Sequence, residues 1–165
     1  MIRPAVFFDR DGTLNVDKGY VYKISDFVWI DGAKDAIKYF NKKKYYVIVI
    51  TNQSGLARNY YNEEDLIKLH NFMNSELKKE SALIDDFFYS PYHPKISNKK
   101  YDKFKNLRKP DTGMLKLAEE KWNFSKKDSL VIGDNDTDVQ CALNYGIKGH
   151  LFNTRNLFDF VRTII

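Results

Sequence analysis

The segment Val6-Phe7-Phe8-Asp9-Arg10-Asp11-Gly12-Thr13-Leu14 sets two carboxylates two residues apart, directly after a short apolar run. That run reads as a buried strand. Strand geometry carried as far as Asp11 would turn both acids to one side, because residues i and i+2 share a face. Acids at the carboxyl end of a parallel strand stand where open α/β folds hold their ligands. One can hold a cation and attack phosphorus while the other moves a proton. Gly12 permits a sharp exit and Thr13 adds a hydroxyl. Asp-Gly is equally a common turn signal, so the pair does not decide the matter alone.

Three more segments bear on it. Thr51-Asn52-Gln53-Ser54-Gly55 offers hydroxyls, amides and backbone N–H groups, short-range donors suited to phosphate oxygens. In isolation it reads as a polar turn. In Arg108-Lys109-Pro110-Asp111, Lys109 is a compact point charge, Arg108 a forked phosphate donor and Pro110 a fit for a helix entry. Either cation alone would be an ordinary surface charge. Gly133-Asp134-Asn135-Asp136-Thr137-Asp138 follows the run Leu130-Val131-Ile132. An acid there can join Asp9 on Mg²⁺, which takes oxygen ligands. Asp138 can brace Lys109 or cap the helix, and Asp136 reads as helix-start charge. Together the segments give an acid pair, a Thr, a Lys and a further acid at successive strand ends. That order suits phosphoryl transfer through an aspartyl-phosphate, driven by positioning and charge neutralisation.

The elements that must position these groups are legible in outline. Ala5–Phe8, Tyr46–Thr51, Asp86–Tyr89, Leu130–Gly133 and Gly149–Phe152 read as strands. Gly32–Lys43, Glu63–Glu80, Thr112–Trp122, Asp136–Tyr145 and Asn156–Thr163 read as helices. For Glu63–Glu80, Asn62 can cap, Asp65 stands three residues on, and Leu66, Leu69, Phe72, Met73 and Leu77 form an apolar stripe. Strand–helix alternation predicts an α/β fold, a three-layer Rossmann-like parallel sheet with helices on both faces and no large cap domain. Residues 1–165 are expected to form a single domain, without repeats or linkers. Two stretches stand outside the alternation. Asn15–Ile30 reads as a short flap over the site. Pro91–Arg108 is a long connection carrying Lys95, Lys99, Lys100, Lys103, Lys105 and Arg108, either functional or a solvated basic loop.

Composition bounds the rest. Twelve Phe, 11 Tyr and 2 Trp imply a core built largely from aromatic rings. The strongest apolar run, Tyr45–Ile50, is too short to span a bilayer, and the N-terminus does not read as a secretory signal. The lone Cys141 can make neither an internal disulfide nor a cysteine-based metal site, which fits a reduced cytoplasm. Net charge is +5, from 27 basic and 22 acidic residues, an excess that suits an anionic substrate or weak nucleic-acid binding and decides neither.

The four segments resemble the four motifs of the haloacid dehalogenase superfamily of phosphohydrolases. Phe8-Asp9-Arg10-Asp11-Gly12-Thr13-Leu14-Asn15, Gly19-Tyr20-Val21, Thr51-Asn52-Gln53-Ser54-Gly55-Leu56-Ala57-Arg58 and Arg108-Lys109-Pro110 resemble, more closely, the D-glycero-D-manno-heptose 1,7-bisphosphate 7-phosphatases. The histidinol-phosphate phosphatases are near relatives. The resemblance implies Asp9 as nucleophile, Asp11 as general acid and then base, and Mg²⁺ on Asp9, the Asp11 carbonyl and Asp134. It implies Thr51 and Lys109 on the transferring phosphoryl group, with Asn52, Arg58 and Arg108 assisting substrate. A phosphorylated sugar is then the expected partner of a cytoplasmic, monomeric enzyme, with neither membrane nor nucleic acid involved.

The chain departs from that family in two places. The family usually carries a zinc loop of three cysteines and a histidine before the Arg-Lys-Pro motif. Here the ligand positions hold Ser90, Tyr92, Lys105 and Leu107, and His93 alone cannot make a structural zinc site, so zinc is expected to be absent. Packing by Tyr92, Tyr101, Phe104 and Leu107 would hold the loop instead. Asn135 stands where close relatives commonly carry a lysine. Three other readings stay open: histidinol phosphate as substrate, a polynucleotide 3′-phosphatase stacking bases on Tyr92, Tyr101 and Phe104, and a phosphoacceptor signalling module. Against the last, Asp11 supplies the second acid that signalling modules lack.

Overall fold

The computed structural model describes residues 2–165. Five strands form one parallel sheet: β1 (Ala5–Phe8), β2 (Tyr46–Asn52), β3 (Asp86–Ser90), β4 (Leu130–Gly133) and β5 (Lys148–Leu151). Their order is β3-β2-β1-β4-β5, so β1 lies at the centre, with Phe8 beside Val49 on one side and Ile132 on the other. The chain runs outward from β1 to β2 and β3, then crosses back to β4. The loops after β1 and β4 therefore diverge, and a crevice opens between them at the carboxyl end of the sheet.

Residue alternation along the strands divides the core in two. Val6 and Phe8 of β1 face a cluster with Val47, Val49, Leu130 and Ile132. Helices α1 (Ala33–Lys42), α2 (Glu63–Lys78) and α5 (Leu157–Ile164) cover it through Ile37, Phe40, Met73, Leu77, Leu157 and Val161. Ala5 and Phe7 face the opposite side with Ile48, Ile50 and Val131, beneath α3 (Gly113–Trp122) and α4 (Asp136–Tyr145). Near-continuous apolar strands are what two covered faces demand.

α2 starts as expected: Asn62 Oδ1 accepts from the Asp65 N–H at 2.9 Å, and Asp65 Oδ2 accepts from the Asn62 N–H at 3.1 Å. Several element ends differ from expectation by one or two residues, with β2 running on to Asn52, β3 to Ser90 and α2 stopping at Lys78. β5 begins at Lys148, and Phe152 follows the strand with its N–H on the Gly133 carbonyl. Pro110 lies outside α3, which begins at Gly113 after Thr112, so it does not occupy the first helical turn.

The excursion Asn15–Ile30 leaves and returns at one point. Asn15 bridges Trp29, the Val16 N–H reaches the Val28 carbonyl, and the Ile30 N–H reaches the Leu14 carbonyl. The Pro91–Arg108 connection is more built than a loop of lysines implies. Tyr101 is buried with Leu56, Ala57, Tyr61 and Leu66, a 3₁₀ turn spans Asp102–Leu107, and Leu107 packs into the α3 side of the core. The lysines at 95, 99, 100, 103 and 105 stay exposed. Burial of Tyr101 removes it as a base-stacking platform. Among the described residues no helix is long and apolar enough to cross a membrane.

Candidate active site

Strand geometry stops at Phe8 and does not carry to Asp11. The Leu14 N–H turns back to the Arg10 carbonyl at 2.8 Å, and Gly12 adopts φ +85°. A Cβ on Gly12 would stand 2.2 Å from Asp134 Oδ2, so glycine answers both a left-handed backbone and a close approach. The turn achieves what the strand alternation was expected to do: Asp9 and Asp11 both line one cavity of about 530 Å³, while Arg10 between them points inward.

The floor of that cavity is a buried ion cluster. The ammonium of Lys109 reaches Asp9 Oδ1 at 2.8 Å, Asp138 Oδ1 at 2.7 Å and the Ile50 carbonyl at 2.8 Å, one acceptor for each of its three protons. Burial alone would lower this ammonium's pKa, but Asp9 and Asp138 reverse that and hold it above the usual lysine range. For Asp9 the balance tips the other way. Burial raises its carboxyl well above the ordinary range, Lys109 partly offsets this, and Asp138 and Asp134 add to it. Asp138 also accepts from the Asn135 N–H at 3.0 Å, so it both braces Lys109 and caps α4. Gly133 makes room, since a Cβ there would meet the Asp138 carboxylate at 2.2 Å.

Asp9, Asp134 and Asp138 could bring one oxygen each within 4.8 Å of the others. Asp138 is committed to Lys109 and the Asn135 N–H, and Asp9 lines the cavity with Asp134 close beside it. Asp134 Oδ1 accepts from the Thr13 hydroxyl at 3.1 Å. Three clustered carboxylates sharing one buried ammonium leave negative charge uncompensated. An all-oxygen donor set of that kind fits a divalent cation such as Mg²⁺.

Asp11 is held from three sides. Arg10 Nη2 donates to Oδ1 and Oδ2 at 2.9 and 3.0 Å, Asn15 Nδ2 to Oδ1 at 3.0 Å, and Gln53 Nε2 to Oδ2 at 2.9 Å. Gln53 Nε2 also donates to Thr51 Oγ1 at 2.8 Å, while its carbonyl oxygen accepts from the Tyr61 hydroxyl. Burial pushes the Tyr61 phenol above its ordinary pKa, which keeps it a donor. Arg10, Asn15, Gln53 and Tyr61 were not singled out by sequence reasoning. Arg10 and Gln53 stand inside the motifs themselves, a signal of position but not of direction.

The remaining expected residues spread around this floor. Thr51 is buried behind Gln53 and does not line the cavity, whereas the neighbouring Ser54 does, with Thr137 across from it. Asn52 lines the cavity too, but its amide brackets the Lys109 backbone, accepting at 3.0 Å and donating at 3.2 Å. Arg108 lines the rim and donates to the Tyr92 carbonyl at 3.3 Å. Arg58 stands near enough to depress the Arg108 pKa beyond what burial does, and its guanidinium lies 5.7 Å from the Tyr20 ring. Neither guanidinium has a carboxylate partner among the described residues. Tyr20, with φ 52°, follows left-handed Gly19 and meets Tyr60 edge-to-face at 4.8 Å. Tyr20 stood in the motif Gly19-Tyr20-Val21 without a role of its own, and Tyr60 was not singled out, because exposed aromatics in loops carry no periodic signal.

Comparison with known proteins fits this geometry. Residues 106–155 match the HAD-hydrolase-like family model. The D-glycero-alpha-D-manno-heptose-1,7-bisphosphate 7-phosphatase of Campylobacter jejuni is 41% identical over 143 residues, 87% of this chain and 78% of that enzyme. The D-glycero-beta-D-manno-heptose-1,7-bisphosphate 7-phosphatase of Rhodopseudomonas palustris is 37% identical over 163 residues, 99% of this chain and 91% of that one. Among solved structures, the heptose bisphosphate phosphatase of B. bronchiseptica, complexed with magnesium and phosphate, superposes with TM-score 0.80 at 27% identity. The match covers 97% of this chain and 86% of that one. A five-stranded parallel sheet with its acids at the strand ends, and relatives that align over most of their own length, agree: the chain belongs to the haloacid dehalogenase superfamily of phosphoric monoester hydrolases, among the heptose-1,7-bisphosphate 7-phosphatases.

Proposed function

We propose that this chain removes the 7-phosphate of D-glycero-D-manno-heptose 1,7-bisphosphate in the route to nucleotide-activated heptose. The observation that carries the chemistry is the buried Asp9–Lys109–Asp138 cluster at the floor of a cavity that Asp11 also lines. Asp9 attacks phosphorus and the bond to the sugar oxygen breaks, while Asp11 gives that oxygen its proton. Water then attacks the aspartyl-phosphate, Asp11 takes the water's proton, and inorganic phosphate leaves with Asp9 restored. Lys109 sits beside the attacking carboxylate as fixed positive charge, and Thr51 stands at the end of the neighbouring β2, behind Gln53. Asp9, the Asp11 carbonyl and Asp134 would hold Mg²⁺, which supplies further neutralisation of phosphoryl charge.

The distal phosphate of a bisphosphate needs its own cations. Arg58 and Arg108, converging half-buried at the rim without carboxylates, support that role, with Asn52 fixing the Lys109 loop beneath them. Relatives named for either anomer lie at similar identity, so the anomer is a question for the substrate panel. The loop before Arg108 is held by Tyr101 and Leu107, which supports folding without zinc. Elemental analysis of purified protein should give no stoichiometric zinc. A full equivalent would refute that point.

The test is phosphate release with Mg²⁺ from both anomers of heptose 1,7-bisphosphate, histidinol phosphate and a 3′-phosphorylated oligonucleotide, with Asp9→Asn as control. Preference for one heptose anomer is expected. Activity confined to another compound would keep the chemistry and overturn the substrate.

A further inference from the structure

Beneath Asp11 lies a second layer of polar groups that the reaction itself does not touch. Arg10 is fully buried, and its guanidinium is gripped only through its two Nη nitrogens. Nη2 donates to the Asp11 carboxylate and to the Val21 carbonyl. Nη1 lies 3.3 Å from His70 Nε2, and Nε has no partner among the described residues. Among the described residues His70 thus supplies the one contact at the far end of the guanidinium, from α2, 60 residues away in sequence. A guanidinium has protons to give and no lone pair to receive, so the contact is favourable only if Nε2 is unprotonated. Burial, and then the Arg10 charge, hold the His70 pKa well below its ordinary value, which fits the neutral ring. The ring plane is fixed as well: it stacks on Phe87 of β3 at 4.2 Å between centroids and 12° between planes.

We infer that His70 is a positioning residue for the proton-transfer acid, fixing the rotation of Arg10 and through it the aim of the Asp11 carboxyl at the leaving oxygen. Without an acceptor at Nη1, two of the three guanidinium nitrogens would be buried without partners. The group would then turn about Nη2 to find others. Asp11 is tied to that nitrogen through both of its oxygens, so its carboxyl would lose one of its three holders and keep only Asn15 and Gln53, loosening its aim. The inference rests on the proposed role of Asp11 as general acid.

The experiment compares kcat/KM for two esters. In heptose 1,7-bisphosphate the leaving group is a primary alcohol, which needs a proton as its P–O bond breaks. In 4-nitrophenyl phosphate the leaving group departs as an acidic phenolate and needs none. kcat/KM reports the steps up to departure of the alcohol or phenol, before water attacks, so the ratio of the two values isolates the acid role. It is also unchanged by any fraction of inactive protein, so a poorly folding variant remains readable. His70→Leu and His70→Asn, the latter with its acceptor one atom short, should lower the alkyl-to-aryl ratio about tenfold, the scale of a misaimed group. His70→Gln, whose Oε1 can reach the place of Nε2, should restore it. Asp11→Asn should lower the same ratio by roughly two to four orders of magnitude. An unchanged ratio in His70→Leu, with both esters slowed equally or not at all, would overturn the positioning role while leaving Asp11 intact. An unchanged ratio in Asp11→Asn would instead overturn the acid assignment, and this inference with it.

Discussion

At the floor of the cavity the buried charges interlock around one cation: Lys109 meets Asp9, Asp138 and the Ile50 carbonyl, and Asp138 meets the Asn135 N–H. At the rim, Arg58 and Arg108 stand half-buried against no carboxylate, beside Tyr20 and Tyr60, about half of whose surface is exposed. The floor is carried by adjacent parallel strands whose register fixes it. The Asp9 N–H lies on the Ile132 carbonyl, and Phe8 sits beside Val49 and Ile132. The rim is carried by loops that reach the mouth of the cavity through left-handed residues, Gly19 and Tyr20 on one side and Asn59 on the other. Under the proposed function, the first region holds charge through a reaction and the second accepts charge from a ligand. Substitutions at the floor should therefore act on turnover and folding together, and substitutions at the rim on substrate binding alone.

The largest effect is expected from Asp9→Asn. It removes the carboxylate proposed to attack phosphorus but leaves Lys109 paired with Asp138, so turnover should fall by roughly four orders of magnitude or more with the fold intact. Turnover near that of the parent, in protein free of deamidation, would end the aspartyl-phosphate mechanism. Lys109→Met comes next. It leaves Asp9 and Asp138 facing each other in the core without their cation, so stability should fall by about 3–5 kcal/mol in urea unfolding. Activity should fall by about 10²–10³ in the protein that remains folded. A variant of normal stability would show that the floor is not the interlocked unit described here.

At the rim, Arg108→Ala and Arg58→Ala should each raise KM for heptose 1,7-bisphosphate about tenfold or more. This is the scale of a hydrogen bond to a charged group. The kcat value and the unfolding midpoint should hardly move. With 4-nitrophenyl phosphate, which has no second phosphate, KM should stay within about twofold. Loss of kcat in both substrates would place these guanidiniums in the floor and erase the distinction between the two regions.

The two regions also differ in how legible they were. The sheet and the strand-end acids could be read because apolar runs, caps and turn residues each carry a local signal. Asn62 with Asp65 and the stripe Leu66, Leu69, Met73 and Leu77 did so most clearly. Register did the rest, since adjacent strands bring Asp9, Asp134 and the Lys109 loop together without further instruction. Direction was not legible. Arg10, between two aspartates, carries no mark that it turns into the core. Tyr101, among lysines, carries none that it packs against Leu56 and Leu66. Neither does His70 on α2, one residue past Leu69 in the apolar stripe. These placements depend on partners tens of residues away, and no local pattern encodes them.

The smallest effect concerns the layer behind the floor and can be read from stability alone. In the folded chain the His70 pKa lies well below its ordinary value of 6.5, because burial disfavours the charged ring and the Arg10 cation opposes it. Once unfolded, the same ring takes up a proton near 6.5. Between those two values the unfolded chain binds one more proton than the folded chain, so lowering the pH through that window favours unfolding. The penalty is small above 6.5 and grows below it, with a limiting slope of about 1.4 kcal/mol per pH unit. Carboxylates and the other histidines titrate in both proteins of a matched pair, so the difference between wild type and His70→Leu isolates this ring. Urea unfolding at pH 7 and pH 5.5 should show wild type losing about 1 kcal/mol more than the variant. Equal losses would mean that the folded ring protonates freely at pH 5.5. An imidazolium has no lone pair for Arg10 Nη1, so the guanidinium would then be held by Asp11 and Val21 alone, and the floor would have no second layer behind it.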